Sequence, residues 1–240
     1  MDSKSILAII PARKGSKEIP GKNMRLLAGK PLIQYSIESA LASELLTRIV
    51  VSSDCAETIA FAKSWEGVEA PFVRPSELAA DDTPSLEVVK HAVNYFKEQQ
   101  TEFDYICLLQ PTSPCRAWDL IDQAFAHMLE TDADSLVTIR KIPEKYHPLW
   151  SLGVTGNALQ RVVQHEDMPT RRQELPDTFC RDGKIYLLKT TLLDKDLLMG
   201  GKMVGYEDKS LPDININTPE DWELAEIFFK IWRKQQSNVS

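Results

Sequence analysis

The sequence predicts an α/β fold built on a doubly wound, mostly parallel sheet. Three observations carry that expectation. Strand-length apolar runs alternate with stretches of helical periodicity from Ile6 to about Ile139, the order that lays helices over a parallel sheet. The first run, Ile6 to Ile10, is apolar throughout, as a strand buried on both faces should be. It then empties directly into a loop, Pro11 to Asn23, with four cations (Arg13, Lys14, Lys17, Lys22) and two glycines. Open α/β sheets bind their ligands at that end of a strand.

The elements follow in order. Pro31 can open a helix at its first turn, and Ile33, Ile37 and Leu41 then recur at helical spacing. Ile49-Val50-Val51 is a short strand that ends at Ser52-Ser53-Asp54. A helix over 54–65 and a strand near Val68 to Val73 come next. Thr83-Pro84 starts a helix whose buried stripe is Leu86, Val89, Val93 and Phe96. Tyr105 to Leu109 is a strand that enters Gln110-Pro111-Thr112-Ser113, a helix covers about 117–131, and Leu136 to Ile139 is a further strand.

After Lys141 the rhythm breaks. Residues 142–180 are rich in Pro, Gly, Gln and charge, with one weak strand pattern at Trp150 to Val154. A structureless loop of that length is uncommon inside a compact domain, so the segment reads as an inserted arm that projects from the sheet toward a partner subunit. Ile185 to Leu188 returns to a strand. Thr218-Pro219-Glu220-Asp221 then starts a last helix, with Leu224, Ile227, Phe228 and Ile231 on one face and its Trp and Phe residues packing the core. The tail from Gln235 is expected to fray. The whole, 1–240, reads as a single domain with the arm inside it.

Composition narrows the function. A chain of 240 residues with 43 % hydrophobic content supports one sizeable core. A net charge of −7 argues against a general nucleic-acid binder. No apolar run is long enough to span a membrane, and the apolar stretch at the N-terminus is too short and too early for a signal peptide. The four cysteines (Cys55, Cys107, Cys115, Cys180) are scattered and form no Cys-x-x-Cys pair, which fits a reducing cytoplasm rather than a disulfide framework. Cys107, inside an apolar strand, reads as an inert core residue.

Within an acidic chain, the densest positive charge stands at a strand's C-terminal end. Glycines let backbone N–H groups approach phosphate oxygens, and the cations neutralise them. A polyphosphate site is the direct inference, and a solvated basic turn is the competing one. The loop is not a P-loop, which has four residues between its glycines and Ser or Thr after its lysine. Here five residues separate Gly15 from Gly21, and Asn23 follows Lys22.

The loop resembles the signature loop of the sugar-activating cytidylyltransferases, in particular the acylneuraminate (CMP-sialic acid synthetase-like) branch. Further segments resemble that family in the same order. Val73 to Ala79 and Asp81-Asp82-Thr83-Pro84-Ser85 look like its nucleobase and ribose loops. Leu108 to Pro114 looks like its central sugar-site strand end. Arg171 to Pro176 and Asp182-Gly183-Lys184-Ile185-Tyr186 look like its sugar-recognition strands, and Asn215 to Asp221 stands at its metal-site position. Together they span about residues 5 to 230.

The resemblance implies a nucleotide-diphospho-sugar transferase-like fold with an inserted dimerisation arm. It implies CTP and a small acidic sugar as substrates, Mg²⁺ as cofactor, and a homodimer in the cytoplasm, with no nucleic-acid or membrane partner. Arg13 and Lys22 would be the catalytic pair, holding the triphosphate by positioning and electrostatic stabilisation. The CTP site would comprise Arg13, Lys14, Gly15, Ser16, Lys22, Asn23, Arg74 and Ser85, with Asn23, Arg74 and Ser85 reading the cytosine edge. Gln110, Arg172 and Tyr186 would bind the sugar, Arg172 through its carboxylate. On their own residue types, Arg74 could equally be a surface ion-pair partner and Tyr186 plain strand core. The polar amide of Gln110, at the mouth of a buried strand, needs a partner.

The departures are specific. Lys14 replaces a glycine, Glu18 adds an anion near the phosphates, and Lys184 replaces a small residue. Where the family pattern is Asp-Ile-Asp-Thr, this chain has amides, Asn215 and Asn217. An amide carbonyl can ligate Mg²⁺ but brings no charge. Asp213 lies two residues earlier, on the same face of a strand, and could substitute. His147 precedes Pro148 in the arm, near the expected sugar contacts. His91, His127 and His165 have no metal-ligand spacing. The expected reaction is CMP transfer from CTP to a sialic, legionaminic or pseudaminic acid. The rivals are a same-fold enzyme for another base or sugar, such as 3-deoxy-manno-octulosonate, and a nucleotide-sugar binding module whose catalysis has lapsed.

Overall fold

The structure is a computed structural model, and it describes residues 4–164 and 168–237, with side chains described to Trp232. In chain order the strands and helices are β1 (Ile6–Pro11), β2 (Leu26–Leu27), β3 (Lys30–Pro31), α1 (Leu32–Ala42), β4 (Arg48–Ser52), α2 (Ala56–Lys63), β5 (Val68–Glu69), α3 (Ser85–Glu98), β6 (Tyr105–Leu108), α4 (Leu120–Glu130), β7 (Ser135–Lys141), β8 (Leu152–Thr155), β9 (Ala158–Arg161), β10 (Phe179–Lys189), β11 (Met203–Glu207) and α5 (Pro219–Ser237). Seven strands form the central sheet in the order β11-β7-β10-β6-β1-β4-β5. All of its pairings are parallel except the two made by β10, which is antiparallel to β6 and β7.

The alternation of side chains along β1 explains its uninterrupted apolar run. Ile6, Ala8 and Ile10 enter one core with Ile33 and Ile37 of α1 and Phe125 and Met128 of α4. Leu7 and Ile9 enter the other, with Val89, Ala92 and Phe96 of α3. Both faces are therefore dry, as a parallel sheet requires. A third core joins Ile19 of the cationic loop, Leu27, Leu32, Cys115, Ile216 and, from α5, Trp222, Ala225 and Phe229. That cluster carries the loop: Arg25 also lies over the Trp222 ring at 4.6 Å.

Several expectations need correction. The strand after α2 is only Val68–Glu69. Pro71 and Pro75 supply no N–H donors, and Arg74 keeps the chain beside the end of β4 with a backbone bond from its N to Ser53 O at 2.8 Å. Strand β10 is longer than 185–188. Its polar start, Arg181 to Lys184, belongs to the sheet because the register shifts there and Asp182 is absorbed by Thr138 of β7, at 2.5 Å. Edge strand β11 was not expected at all. In α5 the inward stripe is Trp222, Ala225 and Phe229, whereas Leu224, Ile227 and Ile231 are exposed. Of the expected face only Phe228 packs against that core, whereas the Trp and Phe residues do pack it as expected.

Residues 142–178 leave the sheet at the end of β7 and return at the start of β10, where Phe179 pairs with Lys141. Among its described residues the segment holds three single 3₁₀ turns and the β8–β9 hairpin, whose strands pair with each other and not with the central sheet. His147 knots its base: Leu149 N donates to Nδ1 at 3.2 Å, and Nε2 faces the Thr178 hydroxyl at 2.7 Å and the Pro176 carbonyl at 3.1 Å. This histidine is structurally committed. His91 packs edge-on against Phe72 and His127 against Tyr206; His165 lies outside the described residues. All four cysteines are free, and burial pushes the thiols of Cys107 and Cys115 up to about 12.

Candidate active site

A cleft of about 300 Å³ opens at the C-terminal ends of β1, β4 and β6. Its walls include Arg13, Gly15, Ser16, Lys22 and Asn23 from the cationic loop, Arg74 and Ser85 from the opposite side, and Gln110, Asn215 and Asn217 from the floor. Residues far apart in sequence meet here because parallel strands deliver all their following loops to one edge.

The cationic loop is held by its own backbone. Residues 19–25 wind into turns, with Met24 N and Arg25 N both donating to Gly21 O at 3.0 Å. Gly21 sits at φ +65°, where a Cβ would be strained. The Asn23 amide donates to Arg13 O at 2.9 Å and closes the loop on itself. Lys14 N donates to Asp54 at 2.7 Å, which ties the loop to the end of β4. Lys14 itself faces a neighbouring hollow with Gly21 and Asp54 rather than the cleft.

Two cations in the cleft have no carboxylate partner among the described residues. Lys22 Nζ donates to the Ile216 carbonyl at 2.9 Å. Burial, then the charge of Arg13, pull its ammonium below the ordinary lysine value, against a weak opposing pull from Asp221. Arg74 is not a surface ion-pair partner, as its residue type allowed: it is buried, and its guanidinium donates to Ser52 O at 3.0 Å and Leu78 O at 3.4 Å. Its Nε is buried with no partner in the structure, and burial lowers its pKa. Buried cations that are not ion-paired are costly in a protein of this kind. They make sense where an anion or a polar base edge is to arrive. Arg13 does have a partner, Asp81, which also takes Lys17 at 2.9 Å.

The floor is set by Arg116, which belongs to none of the motifs read from the sequence, together with Gly183 and Lys184, which do. Arg116 is fully enclosed and donates to Gln110 O at 2.6 Å, Lys184 O at 2.7 Å and Ser36 Oγ at 3.0 Å. Burial pushes its guanidinium down to about 10. It thereby locks the Gln110 backbone to β10, next to the register shift. Gly183, at φ +77°, is required at that shift: a Cβ there would meet Ser113 Oγ at 2.8 Å and Asn215 Nδ2 at 3.3 Å. Lys184 turns away from the cleft into a buried pair with Asp208 at 2.7 Å, both side chains at most 2 % exposed. A lone Arg after a Pro-Thr-Ser-Pro turn has no periodic signature, so only the contacts reveal Arg116.

The 215–217 segment is extended loop, not strand. Ile216 N donates to Thr112 O at 2.8 Å, and Asp221 caps α5 by accepting from Asn217 N and Thr218 N, both at 2.9 Å. The Asn217 amide donates to Asn215 Oδ1 at 3.3 Å. Asp213, the suggested substitute ligand, is engaged elsewhere, with Arg140 at 2.7 Å; burial raises its pKa. Among the described residues no three His, Cys, Asp or Glu side chains gather as a metal set. Two neutral amides do not by themselves fit a resident Mg²⁺, which needs carboxylates or phosphates to balance its charge.

Two sugar-site expectations do not reach the cleft within this chain. Tyr186 is buried in the core with Leu7, Ile9 and Leu108, because its parity on β10 turns it to the α3 face. Arg172 lies in the arm with its side chain 75 % exposed, facing Glu144 at 3.9 Å. Gln110 does line the cleft.

Residues 7–184 match the Cytidylyltransferase family. Over 232 residues the chain is 34 % identical to the CMP-N,N'-diacetyllegionaminic acid synthase of Legionella pneumophila, covering 92 % of this chain and 94 % of that one. Over 226 residues it is 31 % identical to a pseudaminic acid cytidylyltransferase of Campylobacter jejuni, covering 94 % and 96 %. Among solved structures, a CMP:2-keto-3-deoxy-manno-octonic acid synthetase complexed with CTP superposes with a TM-score of 0.69. It covers 95 % of this chain and 99 % of its own, at 17 % identity. At that identity the likeness speaks to fold.

Proposed function

The chain belongs to the cytidylyltransferase family, and from that premise we propose that it transfers CMP from CTP to the anomeric hydroxyl of a nonulosonic acid of sialic, legionaminic or pseudaminic type. The observation that carries the reading is the cleft itself: Lys22 and Arg74, partly or wholly buried without a carboxylate partner among the described residues, stand on opposite walls above the Gln110 amide. Full-length similarity to enzymes named for legionaminic and pseudaminic acids supports the sugar class over an octulosonate.

In the reaction the sugar's anomeric oxygen attacks the α-phosphorus. An O–P bond forms, the hydroxyl proton passes to water, and the bond from the α-phosphorus to the oxygen bridging it to the β-phosphate breaks in line to free pyrophosphate. Lys22 stabilises the charge that builds on the phosphoryl oxygens, an effect available at once because its ammonium is already held by Ile216 O. Arg13 neutralises the leaving phosphates. Arg74 and Ser85 face the base, and Asn23, oriented by the bond from its amide N–H to Arg13 O, has its carbonyl oxygen and second N–H left for the base. Cytidylyltransferases generally use a divalent metal. Here it would enter with the triphosphate, and Asn215 and Asn217 would offer it neutral oxygens.

The 142–180 arm, within a single 1–240 domain, is the dimer contact in this reading, and the partner's arm completes the sugar side that Gln110 leaves open. Four free cysteines suit a cytoplasmic setting. Pyrophosphate release measured for CTP, UTP, GTP and ATP against a panel of nonulosonic acids and 3-deoxy-manno-octulosonate tests the proposal. CTP-specific release with at least one of these acids is expected. No release with any pair would favour the lapsed binding module, and release with the octulosonate alone would favour the same-fold rival.

A further inference from the structure

Asp81 stands on the wall of the cleft opposite the cationic loop, and its two carboxylate oxygens are divided between two cations. Oδ1 takes Arg13, and Oδ2 takes Lys17 at 2.9 Å. One anionic group bridging two cations of a phosphate loop is the arrangement a phosphate group would itself adopt there. The pairing holds the Asp81 carboxyl below the usual aspartate range, chiefly through Lys17 and then Arg13, and raises Lys17 in turn. Asp82, next in sequence, is exposed and makes no ion pair among the described residues.

We propose that Asp81 is a competitor built into the cleft, holding Arg13 and Lys17 when no nucleotide is bound and giving them up to the incoming phosphates. The inference rests on the nucleotide reading above and adds a residue that sets how tightly polyphosphates are held. The loop that carries Asp81 can give way. It lies between a 3₁₀ turn at Ser76–Leu78 and the start of α3 at Ser85, and its own anchors are Thr83 N to Ala80 O at 3.3 Å and Thr83 Oγ1 to Glu77 O at 3.2 Å. A triphosphate or pyrophosphate brings more charge and more acceptor oxygens than one carboxylate and displaces it. A single phosphate competes on nearly equal terms with Asp81 and is held poorly. After turnover, Asp81 returns to the same cations and hastens departure of pyrophosphate.

The probe is inorganic pyrophosphate, titrated calorimetrically into the whole chain and into Asp81→Asn and Asp82→Asn variants at low and moderate salt. Both variants lose the same charge, but only one loses the bridge. Asp81→Asn is expected to bind pyrophosphate about threefold to tenfold more tightly than the parent, the span of one to two exposed ion pairs. The Asp82→Asn shift should be under twofold, and the Asp81 effect should shrink as salt rises. In turnover, Asp81→Asn should show a lower KM for CTP and stronger inhibition by pyrophosphate. Equal shifts in the two variants would overturn the proposal, and so would weaker binding in Asp81→Asn, which would make Asp81 an organiser of the loop. Should the parent turn over CTP while the two variants match, only the competitor role fails. Should none of the three proteins bind pyrophosphate or CTP, the nucleotide reading fails with it.

Discussion

The cleft and the arm are both polar, both rich in cations and both assigned to substrate, yet they are built in opposite ways. In the cleft, Lys22 is held on Ile216 O, Arg74 on Ser52 O, and the backbone of Gln110 by Arg116, each by a buried or half-buried contact. In the arm the β8–β9 hairpin pairs with itself and not with the central sheet, and Val154, Leu159 and Val162 stand 74 %, 67 % and 62 % exposed. Among the described residues Arg172 has a single long contact, to Glu144. The difference separates a cleft whose walls are held within one chain from a segment whose apolar side chains stand exposed. Five changes can break or sharpen that contrast.

The largest effect is expected beneath the cleft. Asp208→Ala leaves Lys184 charged and enclosed, and breaking a buried pair from one side costs about 3–5 kcal/mol. Burial pushes the Asp208 carboxyl up, but the bonds from Lys184 and Ser210 outweigh it and the net shift is down. A lowered folded-state pKa contributes stability that is present above the ordinary aspartate value and lost as pH falls through the folded one. Denaturant melts at neutral pH should show the loss, and the variant's stability should depend less on pH on the acid side. A neutral-pH loss under about 1 kcal/mol would mean that the floor does not rely on this pair.

Lys22→Ala is next. It should lower kcat by roughly 10²-fold or more, the scale for one preorganised stabiliser, with a smaller effect on CTP binding. An unchanged kcat would remove Lys22 from the transition state and leave the cleft as a binding site alone.

In the arm, Val154→Asp with Leu159→Asp should convert a dimer to a monomer in light scattering, with the unfolding midpoint of the monomer nearly unmoved because both side chains are already exposed. Arg172→Ala should leave the assembly intact and raise KM for the sugar about tenfold while sparing KM for CTP. A parent that is a stable, fully active monomer would sink the dimer and close the gap between the two regions.

The smallest effect concerns the metal. Asn217→Asp should lower the Mg²⁺ concentration that half-saturates the initial rate, by about twofold to fivefold, because it adds a full charge beside the triphosphate. If half-saturation is the same or higher, Asn217 does not face the ion.

What the sequence by itself determined is the part governed by local pattern. The two-sided apolar run Ile6 to Ile10, the helix stripe Val89 and Phe96, and the Gly, Pro and Lys spacing of the loop each state their environment within a few residues. The alternating βα order then brings those loops to one edge, which is why Arg13, Lys22, Asn23, Arg74, Ser85 and Gln110 were legible together. Tertiary structure alone decided matters that depend on a neighbour distant in sequence. The polar stretch Arg181 to Lys184 is strand because Thr138 and Asp208 satisfy it. Tyr186 faces the core because the register shift around Gly183 sets its parity. The inward stripe of α5 is Trp222, Ala225 and Phe229, rather than Leu224, Ile227 and Ile231, because Ile19 and Leu27 of the loop region wait on that side. Hydrophobic periodicity reports that a face wants burial. Which of two apolar faces obtains it, and whether a polar group is paired, depends on which surfaces the rest of the chain brings against it.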